Sequence, residues 1–277
     1  MDKAVISHED FTAFQLFLEA VSGIRLSAGK EYLVVSRLGG LMRHYGVATV
    51  GELLGKLESG REPQLQNEVI DAMTTNETFW FRELSHYKLL THQLFPELAA
   101  GNGHSLSIWS AACSSGQEPY NISMMVQEYL SHHPRSPLSD TQIVATDISS
   151  GALAEAKRGV YCGMAAARGL SADQQQRYFV PQGDCLEVRP EIKARVRFKE
   201  LNLLKGFQLL GKFDIIFCRN VLIYFSNERK RQTLSRLAAA LKPNGYLFLG
   251  STESLSAHSD RFEMVKGQGG IVYRIIQ

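Results

Sequence analysis

A chain of 277 residues has room for one large domain, or for a small domain beside a medium one. With 44% apolar and 21% charged residues it has the composition of a globular protein that buries a core, and no run of about 18 apolar residues offers a membrane span. The net charge of +2 decides nothing about nucleic acid, because affinity there depends on clustered charge.

The N-terminus carries Asp2, Glu9 and Asp10 and shows no basic-then-apolar leader pattern. From Phe11 to about Met73 the apolar residues recur at three- and four-residue spacing: Phe11, Phe14, Leu18, Val21; then Leu33, Val34, Leu38, Leu41; then Val50, Leu53, Leu54, Leu57; then Leu65, Val69, Ile70, Met73. This pattern predicts a small domain of about four helices over residues 1–75. Within it, residues 25–45 carry Arg25, Lys30, Arg37 and Arg43 against Glu31 alone, while the segments on either side are acidic. Lys30, Arg37 and His44 are seven apart, so they fall on one face of a helix over about 30–45, opposite the apolar stripe. That face is either an ordinary solvated surface or, with Arg43, a docking surface for an acidic partner.

After Thr74 the texture changes. Residues 76–105 open with Asn76, Thr78 and three aromatics ahead of Arg82, and are read as a linker that also feeds the active site. Strands and helices then alternate. Strands are predicted at Leu106–Ala111, Gln142–Thr146, Val196–Glu200, Phe213–Cys218 and Tyr246–Gly250; helices at Pro119–Leu130, Ser150–Arg158 and Glu228–Leu241. The tail reads as a hairpin, Phe262–Val265 and Ile271–Ile276, across Gly267-Gln268-Gly269-Gly270. Alternation of this kind means a mostly parallel, doubly wound sheet. The expected fold class is α/β: an all-α N-terminal domain followed, over 106–277, by a Rossmann-like domain with an antiparallel ending. Residues 159–195 interrupt the rhythm with a small β excursion, either a recognition element or an inert insertion. Cys113, Cys162, Cys185 and Cys218 form no C-x-x-C pair and are read as free thiols in a reducing cytosol.

Polar groups at the carboxyl ends of these strands mark where such a sheet binds ligands. After the first strand, Ala112-Cys113-Ser114-Ser115-Gly116 lets a ligand approach the backbone, and Glu118 stands beside Pro119 at a helix entrance. A carboxylate there opposes a pyrophosphate and suits a ligand with a cationic amine beside a nucleoside. Asp147 ends the second strand at the ribose-binding position. Asn202, after the third, is either a helix cap or a partner for an adenine edge. Phe213–Cys218 runs directly into Arg219-Asn220, and a phenol, Tyr224, follows four residues later.

Five blocks taken in order carry a family resemblance: Asn76-x-Thr78-x-x-Phe81-Arg82-Glu83; Trp109 through Tyr120; Ala145-Thr146-Asp147-Ile148; Phe213 through Phe225; and Lys242 through Gly250 with Ser251-x-Glu253. Over residues 10–277 the chain resembles the chemotaxis receptor methyltransferase (CheR) family. The resemblance implies an S-adenosylmethionine-dependent enzyme that methylates glutamate side chains of chemoreceptors, working on their cytoplasmic signalling domain. It implies a cytoplasmic protein, expected as a monomer, that neither inserts into the membrane nor acts on nucleic acid. The N-P-P-Y-type motif of amino-group methylation is also absent. The competing reading is a cofactor-binding signalling scaffold without catalysis. Carried over motif by motif, Asn76, Thr78, Arg82, Glu118, Asp147, Asn202, Leu203, Arg219 and Asn220 line the cofactor site, with Asp147 on the ribose and Glu118 on the amine. Arg82 and Tyr224 are the expected catalytic pair. Receptor docking falls to Lys30, Arg37, Arg43 and His44. Members that tether a receptor's C-terminal peptide carry a glycine-rich loop in the inserted subdomain. Here Val180–Cys185 is shorter and has one glycine, so tethering is not implied.

Overall fold

A computed structural model describes residues 6–101, 105–255, 259–267 and 270–276. Four helices open the chain: α1 (His8–Ser22), α2 (Glu31–His44), α3 (Val50–Ser59) and α4 (Leu65–Met73). Their starts follow from local chemistry. Ser7 and Thr49 cap α1 and α3 by accepting from the amides of Asp10 and Glu52, and Gly23 and Gly60 end the same two helices in the left-handed region. The apolar faces named above meet in one core of their own, with Phe14, Leu18, Val34, Leu38, Leu53, Leu65 and Val69 fully buried.

The segment expected as a linker is mostly helix. α5 (Leu84–Leu89) passes through one π-helical turn, Leu90–Leu94, into α6 (Phe95–Gly101), and Tyr87, Leu89, Leu90, Leu94 and Phe95 pack beneath the sheet. The catalytic domain then runs β1 (Ser107–Ala111), α7 (Gln117–His132), β2 (Gln142–Asp147) and α8 (Ser150–Arg158). The inserted part comprises β3 (Val160–Cys162), α9 (Met164–Ala167), α10 (Ala172–Tyr178), β4 (Phe179–Gln182), β5 (Cys185–Val188) and α11 (Pro190–Lys193). The chain rejoins the main sheet with β6 (Val196–Glu200) and β7 (Phe213–Cys218), then a 3-10 turn Leu222–Tyr224, α12 (Asn227–Ala240), β8 (Leu241–Leu249), β9 (Phe262–Gly267) and β10 (Gly270–Ile275).

The main sheet has the order β6-β2-β1-β7-β8-β10-β9, with β6 through β8 parallel and the last two strands antiparallel, as the sequence led us to expect. The hairpin turn at Gln268-Gly269 lies outside the described residues. Strand β8 begins earlier than expected. Asn244 takes a φ of 61°, and the register against β7 shifts between Phe213 and Ile215, so Lys242–Gly245 is an irregular stretch inside the strand and not a loop before it. The strand order reverses between β1 and β7, which leaves a crevice at their carboxyl ends.

The excursion at 159–195 is a separate three-stranded antiparallel sheet, β3-β5-β4. Cys162 and Cys185 face each other across β3 and β5 with Cα atoms 4.2 Å apart and are joined by a disulfide. The expectation of four free thiols is corrected for these two. Strand register opposes them, and spacing of 23 residues along the chain gives no hint of it. Cys113 and Cys218 are free and buried. No helix among the described residues is long and apolar enough to cross a membrane.

Candidate active site

A cavity of about 340 Å³ lies at the β1/β7 switch point, roofed by the helical domain and walled by the segment before α5. That volume is at the lower end for small-molecule sites. All ten sequence-predicted cofactor and catalytic residues line it: Asn76, Thr78, Arg82, Glu118, Asp147, Asn202, Leu203, Arg219, Asn220 and Tyr224. Lys30 and Arg37 line it too, whereas Arg43 and His44 do not.

The backbone around this cavity is strained. Six described non-glycine residues have positive φ, and five of them, Phe81 (53°), Glu83 (59°), Ala112 (85°), Ser114 (51°) and Asn220 (57°), sit on the three loops that form it. Asparagine tolerates that region, but for Phe81, Glu83, Ala112 and Ser114 each such conformation costs on the order of 1–3 kcal/mol and persists only where its surroundings hold it, which is typical of functional sites. Phe81 and Glu83 flank Arg82. Ala112 and Ser114 turn the loop after β1, so that the Ser114 amide points at the Asp147 carboxylate.

Asp147 is held by two backbone donors, Ser114 (2.7 Å) and Ser149 (2.9 Å). Burial raises its pKa against the pull of those hydrogen bonds, and Asp71 nearby adds to the rise. The carboxylate is therefore fixed and desolvated, with acceptor capacity left for a ligand. Asn76 is tied to the same loop: its carbonyl accepts from the Ser114 hydroxyl (2.7 Å) and its amide donates to the Ser149 hydroxyl (3.3 Å).

Arg219 is the hub. Its side chain is only 2% exposed and contacts Glu118 at 2.7 Å and Glu83 at 3.1 Å, while also donating to the Arg82 carbonyl and the Tyr87 phenol. Burial opposes its charge, but Tyr87, Glu118 and Glu83 outweigh burial and push its pKa above the ordinary value. Glu118 also accepts from the Ser110 hydroxyl at 2.7 Å. Asn220 donates its amide N–H to Glu253 (2.7 Å), which also accepts from Gly250 and Ile223 and so pins the loop leading to Tyr224.

Asn202 starts no helix, but its side chain is engaged locally and still borders the cavity. Its oxygen accepts from the Leu204 amide at 2.9 Å in a local turn, and its nitrogen donates to the Val21 carbonyl of the helical domain at 2.7 Å. Arg37 departs from its expected setting. It turns inward and donates to the carbonyls of Met73 (2.6 Å) and Thr74 (2.9 Å) and to the Thr75 hydroxyl (3.0 Å), so its charge is spent on the chain entering the site. Seven-residue spacing places Cβ on a face but does not say where a long arginine ends. Lys30, Arg43 and His44 remain exposed.

The residues fit a nucleoside-sulfonium ligand on the chemistry of their donor set. A buried acid, Asp147, ends β2 and a second, partly buried acid, Glu118, stands in the first turn of α7; apolar Leu203 lies beside an amide, and small residues at 112–114 line the floor. The comparisons agree with that fit. Residues 9–74 match the family described as CheR methyltransferase, all-alpha domain, and residues 76–271 match CheR methyltransferase, SAM binding domain. The chain belongs to the CheR methyltransferase family. It is 47% identical over 267 residues to the chemotaxis protein methyltransferase Cher2 of Pseudomonas putida, covering 96% of this chain and 97% of that protein. It is 48% identical over 270 residues to chemotaxis protein methyltransferase 1 of Pseudomonas aeruginosa, covering 97% and 98%. A third relative, the chemotaxis protein methyltransferase of Vibrio parahaemolyticus, is 44% identical over 276 residues, covering 99% of this chain and all of that protein. This CheR-family chain is thus an S-adenosylmethionine-dependent methyltransferase.

Sequence reasoning assigned no role to Glu83, Tyr87 or Glu253, although Glu83 and Glu253 stand inside the quoted motifs. The signal that finds them is an acid at a motif end with no apolar periodicity to explain it. Tyr87 is fully buried, and burial raises its phenol pKa to about 12 despite Arg219 beside it.

Proposed function

We propose that this methyltransferase transfers a methyl group to glutamate carboxylates on the cytoplasmic signalling domain of chemoreceptors, forming glutamate methyl esters, and that it acts in the cytoplasm. One observation carries the reading: Arg82 and Tyr224 border the same cavity as Glu118 and Asp147, beneath a roof that contributes Arg25 and Lys30. An anionic acceptor is drawn to such an opening, while the acids deeper in the site suit a cationic cofactor.

The bound cofactor supplies a methyl group already activated by a positive sulfur. A glutamate carboxylate is a nucleophile at neutral pH, so the chain has no proton to remove. Asp147 suits the ribose hydroxyls, and Glu118 suits the amine. Asn202 and Leu203 suit the base. Arg82, whose guanidinium donates to the Glu77 carbonyl and lies 5.8 Å from the Phe79 ring, is half-buried and borders the cavity. It orients the incoming acid. Tyr224 holds one acceptor oxygen by donating its O–H. Catalysis then rests on placement and on exclusion of water from the carboxylate. Too strong a grip by Arg82 stabilises the ground state and slows transfer. Lys30, Arg43 and His44, exposed on or beside α2, form the receptor-facing surface.

The test is transfer from methyl-labelled S-adenosylmethionine to purified receptor signalling fragments. Label is expected on glutamates, and substitution of each labelled glutamate by alanine removes the label at that position. A protein that binds the cofactor but labels no receptor fragment from a broad panel would instead fit the scaffold reading.

A further inference from the structure

Arg82 and Tyr224 come from segments 142 positions apart in sequence, and something must hold their two backbones in register. One carboxylate, beside the direct bond from Arg219 to the Arg82 carbonyl, spans them. Glu83 Oε1 accepts from the Ser251 amide (3.1 Å), the Ser251 hydroxyl (2.9 Å) and the Asn220 side-chain amide (3.4 Å). Its Oε2 meets Arg219 at 3.1 Å. The segment before α5 is thereby fastened to the tips of β7 and β8 at once. Glu253 completes the arrangement from the other side, holding the amides of Asn220 and Ile223, so the turn that carries Tyr224 is fixed relative to Glu83.

The backbone points the same way. Glu83 has a φ of 59° and Phe81 one of 53°. A glutamate has no intrinsic preference for that region, and glycine or asparagine would relieve the strain. The side-chain bonds of Glu83 hold the strained turn in which Arg82 is the central residue. Arg219, held by Glu83, also donates to the Arg82 carbonyl, which fixes the arginine's backbone a second time.

We infer that Glu83 is a positioning residue for methyl transfer, one that sets Arg82 against Tyr224 by clamping the Arg82 turn to Arg219, Asn220 and Ser251. The inference rests on the methyltransferase reading above but concerns a residue that lies outside the cavity lining. Misplacement by about 1 Å of a group that orients the reactants costs up to about a hundredfold in rate, so the effect belongs in kcat and not in cofactor affinity.

Three variants test it, each followed by kcat at saturating cofactor and receptor, by Kd for S-adenosylhomocysteine from calorimetry, and by Tm. Glu83→Ala is expected to lower kcat by about 10- to 100-fold, with Kd moving less than about threefold. Glu83→Gln keeps the shape but turns a neutral amide toward Arg219, and is expected to lose most of the same activity. Glu83→Asp keeps the charge and tolerates the backbone better, but it is one methylene short of Ser251 and is expected to stay impaired. Should Glu83→Ala not fold, Glu83→Gln and Glu83→Asp decide alone. Wild-type kcat in Glu83→Gln, full rescue by Glu83→Asp, or losses of kcat, Kd and Tm in parallel would each overturn the inference. A wild-type protein that binds S-adenosylhomocysteine but methylates nothing counts against the functional reading. An active wild type beside equally active Glu83 variants counts against Glu83 alone.

Discussion

Arg219 Nη1 lies 2.7 Å from Glu118 Oε2 at the edge of the cavity, so the carboxylate suited to a cofactor amine is already paired with a buried arginine. Glu118 and Glu83 together bracket one guanidinium, two acids to one base. The excess negative charge is what a cationic ligand completes. Removing the arginine leaves the two carboxylates with neutral donors only, Ser110 for Glu118 and Ser251 with Asn220 for Glu83, and breaking a buried ion pair from one side costs on the order of 3–5 kcal/mol. Arg219→Met should therefore lower unfolding free energy by about that amount, read from urea denaturation.

Asp147 makes its contribution through fixed acceptor geometry. Asp147→Ala should weaken S-adenosylhomocysteine binding by about 10- to 100-fold, the equivalent of losing charge-assisted hydrogen bonds. Titration calorimetry reads this directly, and turnover at saturating cofactor should change far less.

Arg82 shows the opposite split. Arg82→Ala should reduce kcat by more than about tenfold beyond any change in cofactor Kd, because the role proposed for it is to orient the acceptor. Full turnover by Arg82→Ala at saturating cofactor removes it from the mechanism.

The cations of α2 divide into two groups. Arg43 is exposed and makes no contact with the cavity, so Arg43→Glu should raise KM for receptor at low salt and leave cofactor affinity unchanged, an effect that fades as salt screens the surface. Arg37→Glu should instead weaken cofactor binding and lower Tm, because it releases the carbonyls of Met73 and Thr74 at the entrance to the site.

Acid should loosen the same region in two steps. His86 is buried against Phe248 and beside Glu83; burial first, and Arg219 second, hold its pKa down to about 4, against the pull of Glu83. The unfolded chain binds a proton near pH 6.5, so stability is lost as pH falls from about 6.5 to 4. Glu83 itself is lowered to about 2: burial raises it, but the Ser251 amide and Arg219 prevail. Its share is lost below about 4.5. A Tm profile over pH 7 to 4 should fall in the wild type and flatten in its upper part in His86→Asn.

Much of this architecture is legible in the residues. The strands at Val196–Glu200 and Phe213–Cys218 and the helix at Ser150–Arg158 begin and end where alternation, caps and Gly159 say they should. What the sequence hides is what depends on contacts between distant segments. The helix through Leu84–Gly101 escapes notice because Pro96 and short runs of polar residues blur its period, while its apolar residues are buried by the sheet above. The positive φ of Phe81, Glu83, Ala112 and Ser114 is invisible, since none of these residue types favours it. Arg37 misleads for a similar reason: helical spacing fixes its Cα, and the carbonyls it reaches are 36 and 37 positions away. Glu118 and Asp147 are legible from charge and position, whereas Asn76, Thr78, Arg82, Leu203 and Tyr224 take their expected roles from the family resemblance. Glu83 and Glu253 stand inside the motif blocks too, but the partners they clamp are visible only in the structure.

A carboxylate methyl ester is labile to alkali, whereas methyl on nitrogen is not. Receptor signalling fragments labelled by this protein with methyl-labelled S-adenosylmethionine should release nearly all of the label as volatile methanol on mild base treatment. Label that survives base, as methyl on nitrogen does, or that never reaches the receptor, would contradict the account.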